Sequence, residues 1–160
     1  MYDFAADPAL PKPALYQELL SAADALTAGE PDGIANMANL AALVWQMVPE
    51  LNWAGFYRLV DGELVLGPFC GKPACIRIPL GRGVCGTAAA TGATQRVADV
   101  HAFPGHIACD AASRSELVVP VTRDGAVTAV IDLDSPLPAR FDADDQAGFE
   151  ALATLVAGRI

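Results

Sequence analysis

The stretch NWAGFYRLVDGELVLGPF, residues 52–69, decides the fold class. Asn52 to Val60 is rich in aromatic and branched residues, Glu63 to Phe69 repeats that character, and only Asp61-Gly62 separates them. Two such runs across an Asp-Gly pair predict a β-hairpin, because both turn residues tolerate positive φ. Further along, Glu116 to Val121 and Ala126 to Leu133 predict a second hairpin around Arg123-Asp124-Gly125. Between the hairpins, the sequence predicts a short strand from Ala74 to Ile78, a bend at Gly81-Arg82-Gly83 and a small-residue helix from Val84 to Thr91 stopped by Gly92.

Helices bracket these strands. Leu15, Leu19, Ala22 and Leu26 recur at helical spacing before Gly29, after an extended lead-in ending Pro11-Lys12-Pro13. Asp32 then caps a second helix that carries Ile34, Met37, Leu40, Val44 and Met47 on one face and ends at Pro49. Asp142 caps a C-terminal helix with an acidic first turn, which suits the positive end of the helix dipole. An antiparallel sheet flanked by terminal helices is an α+β fold with one helical layer. With 160 residues, the expectation is a single domain spanning 1–160.

Composition narrows the function classes. More than half of the residues are apolar, which excludes disorder, and the formal net charge is -9. An acidic chain without clustered Lys and Arg is unsuited to nucleic acid or to an anionic membrane surface. No basic-then-apolar leader is visible and no apolar run is long enough to span a bilayer, so a cytoplasmic protein is expected. In that compartment the four cysteines, Cys70, Cys75, Cys85 and Cys109, are expected as thiols, metal ligands or redox groups rather than as structural disulfides.

Ala98 to Arg114 has no clear period, yet it holds His101, His106, Cys109 and Gly105, and long irregular loops in small domains tend to carry function. Cys109 stands near His106 and Arg114, which favour a thiolate, and beside Asp110, which opposes one. Cys85 lies at a helix start, where free amides lower a thiol pKa, whereas Cys70 among Leu66, Phe69 and Gly71 reads as a small buried hydrophobe. The cysteine and histidine spacings do not form the paired half-sites of a structural zinc centre, so no metal is expected.

The carboxylates say more. In Val130-Ile131-Asp132-Leu133-Asp134, strand alternation puts both acids on one face with Val130 and Thr128, and turns Val127, Ala129, Ile131 and Leu133 the other way. Neighbouring acids repel unless a cation joins them or one stays protonated, and Glu116 on the adjoining strand completes a set of three. Against that stands the plain alternative of a solvated strand end. Trp53 and Tyr57 share a strand face across Gly55, either as core or as the wall of a small apolar pocket.

Read together, Asn52 to Tyr57, Leu66-Gly67-Pro68-Phe69, Gly81 to Ala88, Asp99-Val100-His101, Gly105 to Ser113, and Ile131 to Pro136 before Arg140-Phe141 resemble the free methionine-(R)-sulfoxide reductases over nearly the whole chain. The resemblance implies a GAF fold, with helices on one side of the central sheet and a ligand pocket on the other. It implies a homodimer that reduces free methionine-(R)-sulfoxide, needs no cofactor, and is recycled by thioredoxin. The family's three cysteines fall on Cys75, Cys85 and Cys109, its substrate-binding acids on Glu116, Asp132 and Asp134, and its pocket aromatics on Trp53 and Tyr57. By that resemblance Cys109 attacks the sulfoxide sulfur, Asp134 or Asp132 supplies a proton, and Cys75 closes a disulfide on the resulting sulfenic acid. Cys85 is left as a relay or alternative resolving thiol. Cys70 departs from the family, where glutamine is common, and takes no role. The competing expectation is a non-catalytic GAF module that binds a small ligand as a sensor, since one fold hosts many functions.

Overall fold

The computed structural model describes residues 9–105 and 110–160. Its elements are α1 (Lys12–Thr27), α2 (Gly33–Met47), β1 (Trp53–Val60), β2 (Glu63–Gly71), β3 (Arg77–Pro79), α3 (Gly83–Thr91), β4 (Gln95–Val97), β5 (Ser115–Arg123), β6 (Ala126–Ser135) and α4 (Ala143–Val156). The strands form one antiparallel sheet in the order β3-β2-β1-β6-β5-β4. Both predicted hairpins are present. Asp61 and Gly62 turn at φ 50° and 84°, and Asp124 and Gly125 at 52° and 81°. Among the described residues no helix is long and apolar enough to cross a membrane.

The α+β GAF-like fold expected from the sequence is the fold observed, with α1, α2 and α4 on one face of the sheet. Ala54 and Phe56 of β1, Leu117, Val119 and Val121 of β5, and Ala129, Ile131 and Leu133 of β6 close a dry core against Leu19, Leu40, Val44, Phe149 and Leu152 of those helices. The helical layer is not the only one. α3 packs on the opposite face, where Val84, Cys85, Ala88 and Ala89 meet Trp53, Tyr57, Val118 and Val130.

Three further expectations need correction, and one strand was not anticipated. Val127 packs on the same face as Val130, because the β5–β6 ladder shifts register between Val121 and Thr122 and leaves Thr128 unpaired. A bulge of that kind inverts the alternation on its far side. β3 starts at Arg77 rather than Ala74; Pro73 offers no N–H to a ladder, and 72–76 leaves the sheet as a loop. Gln95–Val97 pairs with β5 as an edge strand too short to show a period. Ile34 is 45 % exposed, since the chain end at Arg159–Ile160 lies against Gly33 and Asn36 and covers those instead.

Asp145 ties the N- and C-terminal helices together. Wholly buried, it accepts from Lys12 Nζ at 2.5 Å, Tyr16 Oη at 2.6 Å, Arg140 Nη1 at 3.0 Å and the Asp142 amide at 2.8 Å. The Tyr16 ring reaches that carboxylate by lying directly over Gly148, where an added Cβ would stand 2.2 Å from the ring. Alanine normally stabilises a helix interior by about 1 kcal/mol relative to glycine. Here the clash outweighs the gain, at about 1–3 kcal/mol for overpacking. Gly148→Ala is therefore expected to lower the thermal midpoint by several degrees, and an unchanged or higher midpoint would contradict this account of the α1–α4 contact.

Candidate functional site

The sheet face away from α1, α2 and α4 carries the predicted site, row by row. Trp53, Asp134 and Glu116 stand side by side on β1, β6 and β5. In the next row Gly55, Asp132 and Val118 are neighbours, and in the next Tyr57 and Val130 close the floor. Glu116 and Asp132 are each only 6 % exposed, so the solvated strand end is ruled out for this pair of acids. The cleft above them encloses about 550 Å³, its mouth included.

Its aromatic wall is backed by a residue the sequence reading did not assign to it. Phe69 of β2 crosses over Gly55, where any Cβ would lie 2.4 Å from its own, and stacks on Trp53 at 5.2 Å between centroids. Tyr57 also stacks on Trp53, at 5.9 Å. The polar ends of both predicted aromatics hold the loop that carries Cys75: Trp53 Nε1 donates to Lys72 O at 3.1 Å, and Tyr57 Oη donates to Cys75 O at 3.0 Å. Buried Trp and Tyr use such handles to fix an otherwise irregular segment.

Burial sets the protonation of the acids. Loss of water, together with the charges of Asp132 and Asp134, pushes Glu116 well above the usual carboxylate range. Burial and the Asp132 charge do the same to Asp134, with nearby Ser113 acting the other way. Asp132 is also raised by burial, but only to about 6, because its neighbours Cys85 and Glu116 favour its ionised form. Asp132 is the least raised of the three, and its Oδ1 is buried with no hydrogen-bond partner among the described residues.

Cys85 lies 3.9 Å from Glu116 Oε1 and is fully buried. Its expected low pKa is overturned: burial first, then the charges of Asp132 and Glu116, push the thiol well up, so it stays S–H and donates. Desolvation and two acids outweigh the amides of a nine-residue helix start. The sulfur and oxygen atoms of Cys85, Glu116 and Asp132 fall within 4.8 Å of one another, a donor set for a cation that arises through space and that no sequence spacing announces.

The remaining predicted groups separate. Cys75 on the 72–76 loop and Cys70 on β2 are both half-buried, and neither is among the residues that line the cleft, although Ala74 beside Cys75 is. His101 is exposed and pairs with Asp99 at 3.0 Å. Cys109 and His106 lie outside the described residues. Ser113 and Asp110 line the cleft and were missed as site residues; their only sequence signal was a place in the irregular stretch.

A GAF domain family model matches residues 35–160. The chain is 50 % identical over 141 residues to the free methionine-R-sulfoxide reductase of Escherichia coli, covering 88 % of this chain and 86 % of that protein. It is 59 % identical over 133 residues to protein YtsP of Bacillus subtilis, covering 82 % of each. The solved free methionine-R-sulfoxide reductase from Neisseria meningitidis, in complex with its substrate, superposes with a TM-score of 0.94 at 45 % identity, covering 99 % of this chain and 95 % of that one.

Because Asp132 is buried and raised, its proton is favoured by folding. The stability this supplies is complete below the ordinary Asp pKa and is lost as pH rises through about 6. Asp132→Asn should therefore be more stable than the parent at pH 8, by on the order of 2 kcal/mol, and lose that advantage by pH 4. Urea unfolding at the two pH values measures it; equal midpoints at pH 8 would refute the buried charge.

Proposed function

The chain belongs to the GAF domain family, among the free methionine-R-sulfoxide reductases, and from that premise we propose that it reduces free methionine-(R)-sulfoxide to methionine with its own cysteines. The observation that carries the reading is the row Trp53–Asp134–Glu116, which sets an aromatic wall directly beside protonated buried acids. A methionine sulfoxide presents the matching groups: a methyl sulfur end for Trp53 and Tyr57, an ammonium for the ionised Asp132, and a sulfoxide oxygen that needs a proton.

In the proposed reaction the Cys109 thiolate attacks the sulfoxide sulfur while a carboxylic acid protonates the oxygen. Asp134 is the acid next to Trp53, so it is the donor the register favours over Asp132. The oxygen passes to Cys109 as a sulfenic acid and methionine leaves. The Cys75 sulfur then attacks the Cys109 sulfur, the S–O bond breaks, and water departs with the thiol proton. The sum is one sulfoxide and two thiols converted to one sulfide, one disulfide and water. Thioredoxin is the proposed external reductant, by thiol exchange, and a cytoplasmic homodimer the proposed setting. Cys85, protonated and buried among the acids, serves as a hydrogen-bond donor to them. A buried anion awaiting an ammonium also supports selection of the free amino acid, since a peptide-bound methionine sulfoxide carries an amide there.

NADPH oxidation coupled through thioredoxin and its reductase tests the activity with free methionine-R-sulfoxide, the S epimer and a sulfoxide-containing peptide. Turnover of the free R epimer alone is expected, and no turnover of any of the three would sink the enzyme reading in favour of a binding module. Without reductant, Cys109→Ser should release no methionine, whereas Cys75→Ser should release about one equivalent and stall. Methionine release by Cys109→Ser would transfer the attack to another cysteine.

A further inference from the structure

Cys85, Glu116 and Asp132 meet at one point although they come from three elements, α3, β5 and β6. Their ligating atoms, one sulfur and two carboxylate oxygens, all lie within 4.8 Å of one another. Cys85 Sγ stands 3.9 Å from Glu116 Oε1. A tetrahedral zinc ion, bonded at about 2.3 Å to sulfur and about 2.0 Å to oxygen, holds two such ligands about 3.5 Å apart. The sulfur–oxygen edge of that geometry is therefore met to within about half an ångström.

Burial separates this group from an ordinary acidic surface. All three side chains are buried, and all three line the cleft. Asp132 Oδ1 has no hydrogen-bond partner among the described residues, and a buried acceptor in that state is unfavourable until something binds it. Of the two cationic side chains on the lining, Lys72 is paired with Asp110 at 3.1 Å and Arg82 is exposed.

The donor types choose the cation. Magnesium and calcium are hard ions that seek oxygen, and a thiol in the set disfavours them. Zinc accepts sulfur and oxygen together, and with three protein ligands it leaves a fourth place to water or substrate. Here that place opens to the cleft. On coordination the Cys85 proton leaves to water and the sulfur binds as thiolate.

We propose that Cys85, Glu116 and Asp132 bind a thiophilic divalent cation of the zinc type, seated on the same Asp132 carboxylate that receives the substrate ammonium, so that metal and substrate exclude each other. The exclusion rests on the reading of Asp132 as the ammonium seat; the metal site itself does not.

The probe is Co2+, added to the reduced full chain and followed by thiolate-to-cobalt charge transfer in the near ultraviolet. Binding of about one Co2+ per chain is expected. Zn2+ should displace it and excess Mg2+ should not; displacement by Mg2+ overturns the thiophilic assignment. Cys85→Ser should abolish the band, whereas Cys70→Ser, Cys75→Ser and Cys109→Ser should keep it. No band in the parent, or a band that survives in Cys85→Ser, overturns the site. Should Cys85→Ser fail to fold, Asp132→Asn decides. Its Co2+ affinity must fall by at least about tenfold, since even outer partners of a ligand are worth that much, and an unchanged affinity overturns the site.

The exclusion is measured in Cys109→Ser, so that bound sulfoxide is not consumed. Saturating free methionine-(R)-sulfoxide should lower Co2+ affinity by about tenfold beyond the effect of equal alanine, which controls for chelation in solution. An effect no greater than that of alanine overturns the shared seat. If the parent protein releases no methionine, the function reading fails by itself, and the cobalt band still decides the metal site.

Discussion

Three carboxyl groups share one closed patch of sheet, and the rest of the molecule is arranged around the cost of keeping them there. Glu116, Asp132 and Asp134 come from two adjacent strands, so their separation is set by the ladder and cannot relax. Burial raises all three and neighbouring charge raises Glu116 and Asp134 further, and the proteins that tolerate such a cluster do so by leaving protons on it or by awaiting a cation. The opposite face of the same strands supplies the compensation. Leu117, Ile131 and Leu133 alternate with the acids and bury completely against three helices. One strand pair thus carries a stabilising face and a strained face, which is the usual division between scaffold and site.

The aromatic wall depends on the same register. Trp53 reaches the acids only because β1 pairs with β6, and Phe69 reaches Trp53 only because residue 55 is glycine. The polar ends of Trp53 and Tyr57 then hold the 72–76 loop, so the residues that shape the apolar wall also place the segment bearing Cys75. Pocket shape and cysteine placement are therefore not independent properties of this fold.

Much of this was legible in the sequence, and the exceptions share a cause. Asp-Gly turns, helix caps and strand alternation are local signals, and they located both hairpins, the terminal helices and the common face of Asp132 and Asp134. What depended on a second segment was hidden. The bulge that turns Val127 belongs to a pairing with β5, and the three-residue β4 exists only because β5 offers an edge. Cys85 carried a local signal for a low pKa, a helix start, but its neighbours in space are acids more than thirty positions away. Ser113 was quoted only as the end of the Gly105–Ser113 motif, because its place beside the acids depends on how the segment before β5 folds back onto β1.

The acid cluster also suggests why substrate and donor belong in one pocket. Asp134 holds its proton tightly partly because Asp132 is ionised beside it. In the proposed complex an ammonium settles on Asp132 and cancels much of that field. Its arrival weakens the hold of Asp134 on the proton, making it a stronger acid at the moment the sulfoxide oxygen calls for one. The linkage is reciprocal, so a proton left on Asp132 instead would cost both the ammonium its partner and Asp134 this adjustment. In the proposed reaction, neighbours that favour ionised Asp132 would thereby leave the proton on the other members of the cluster.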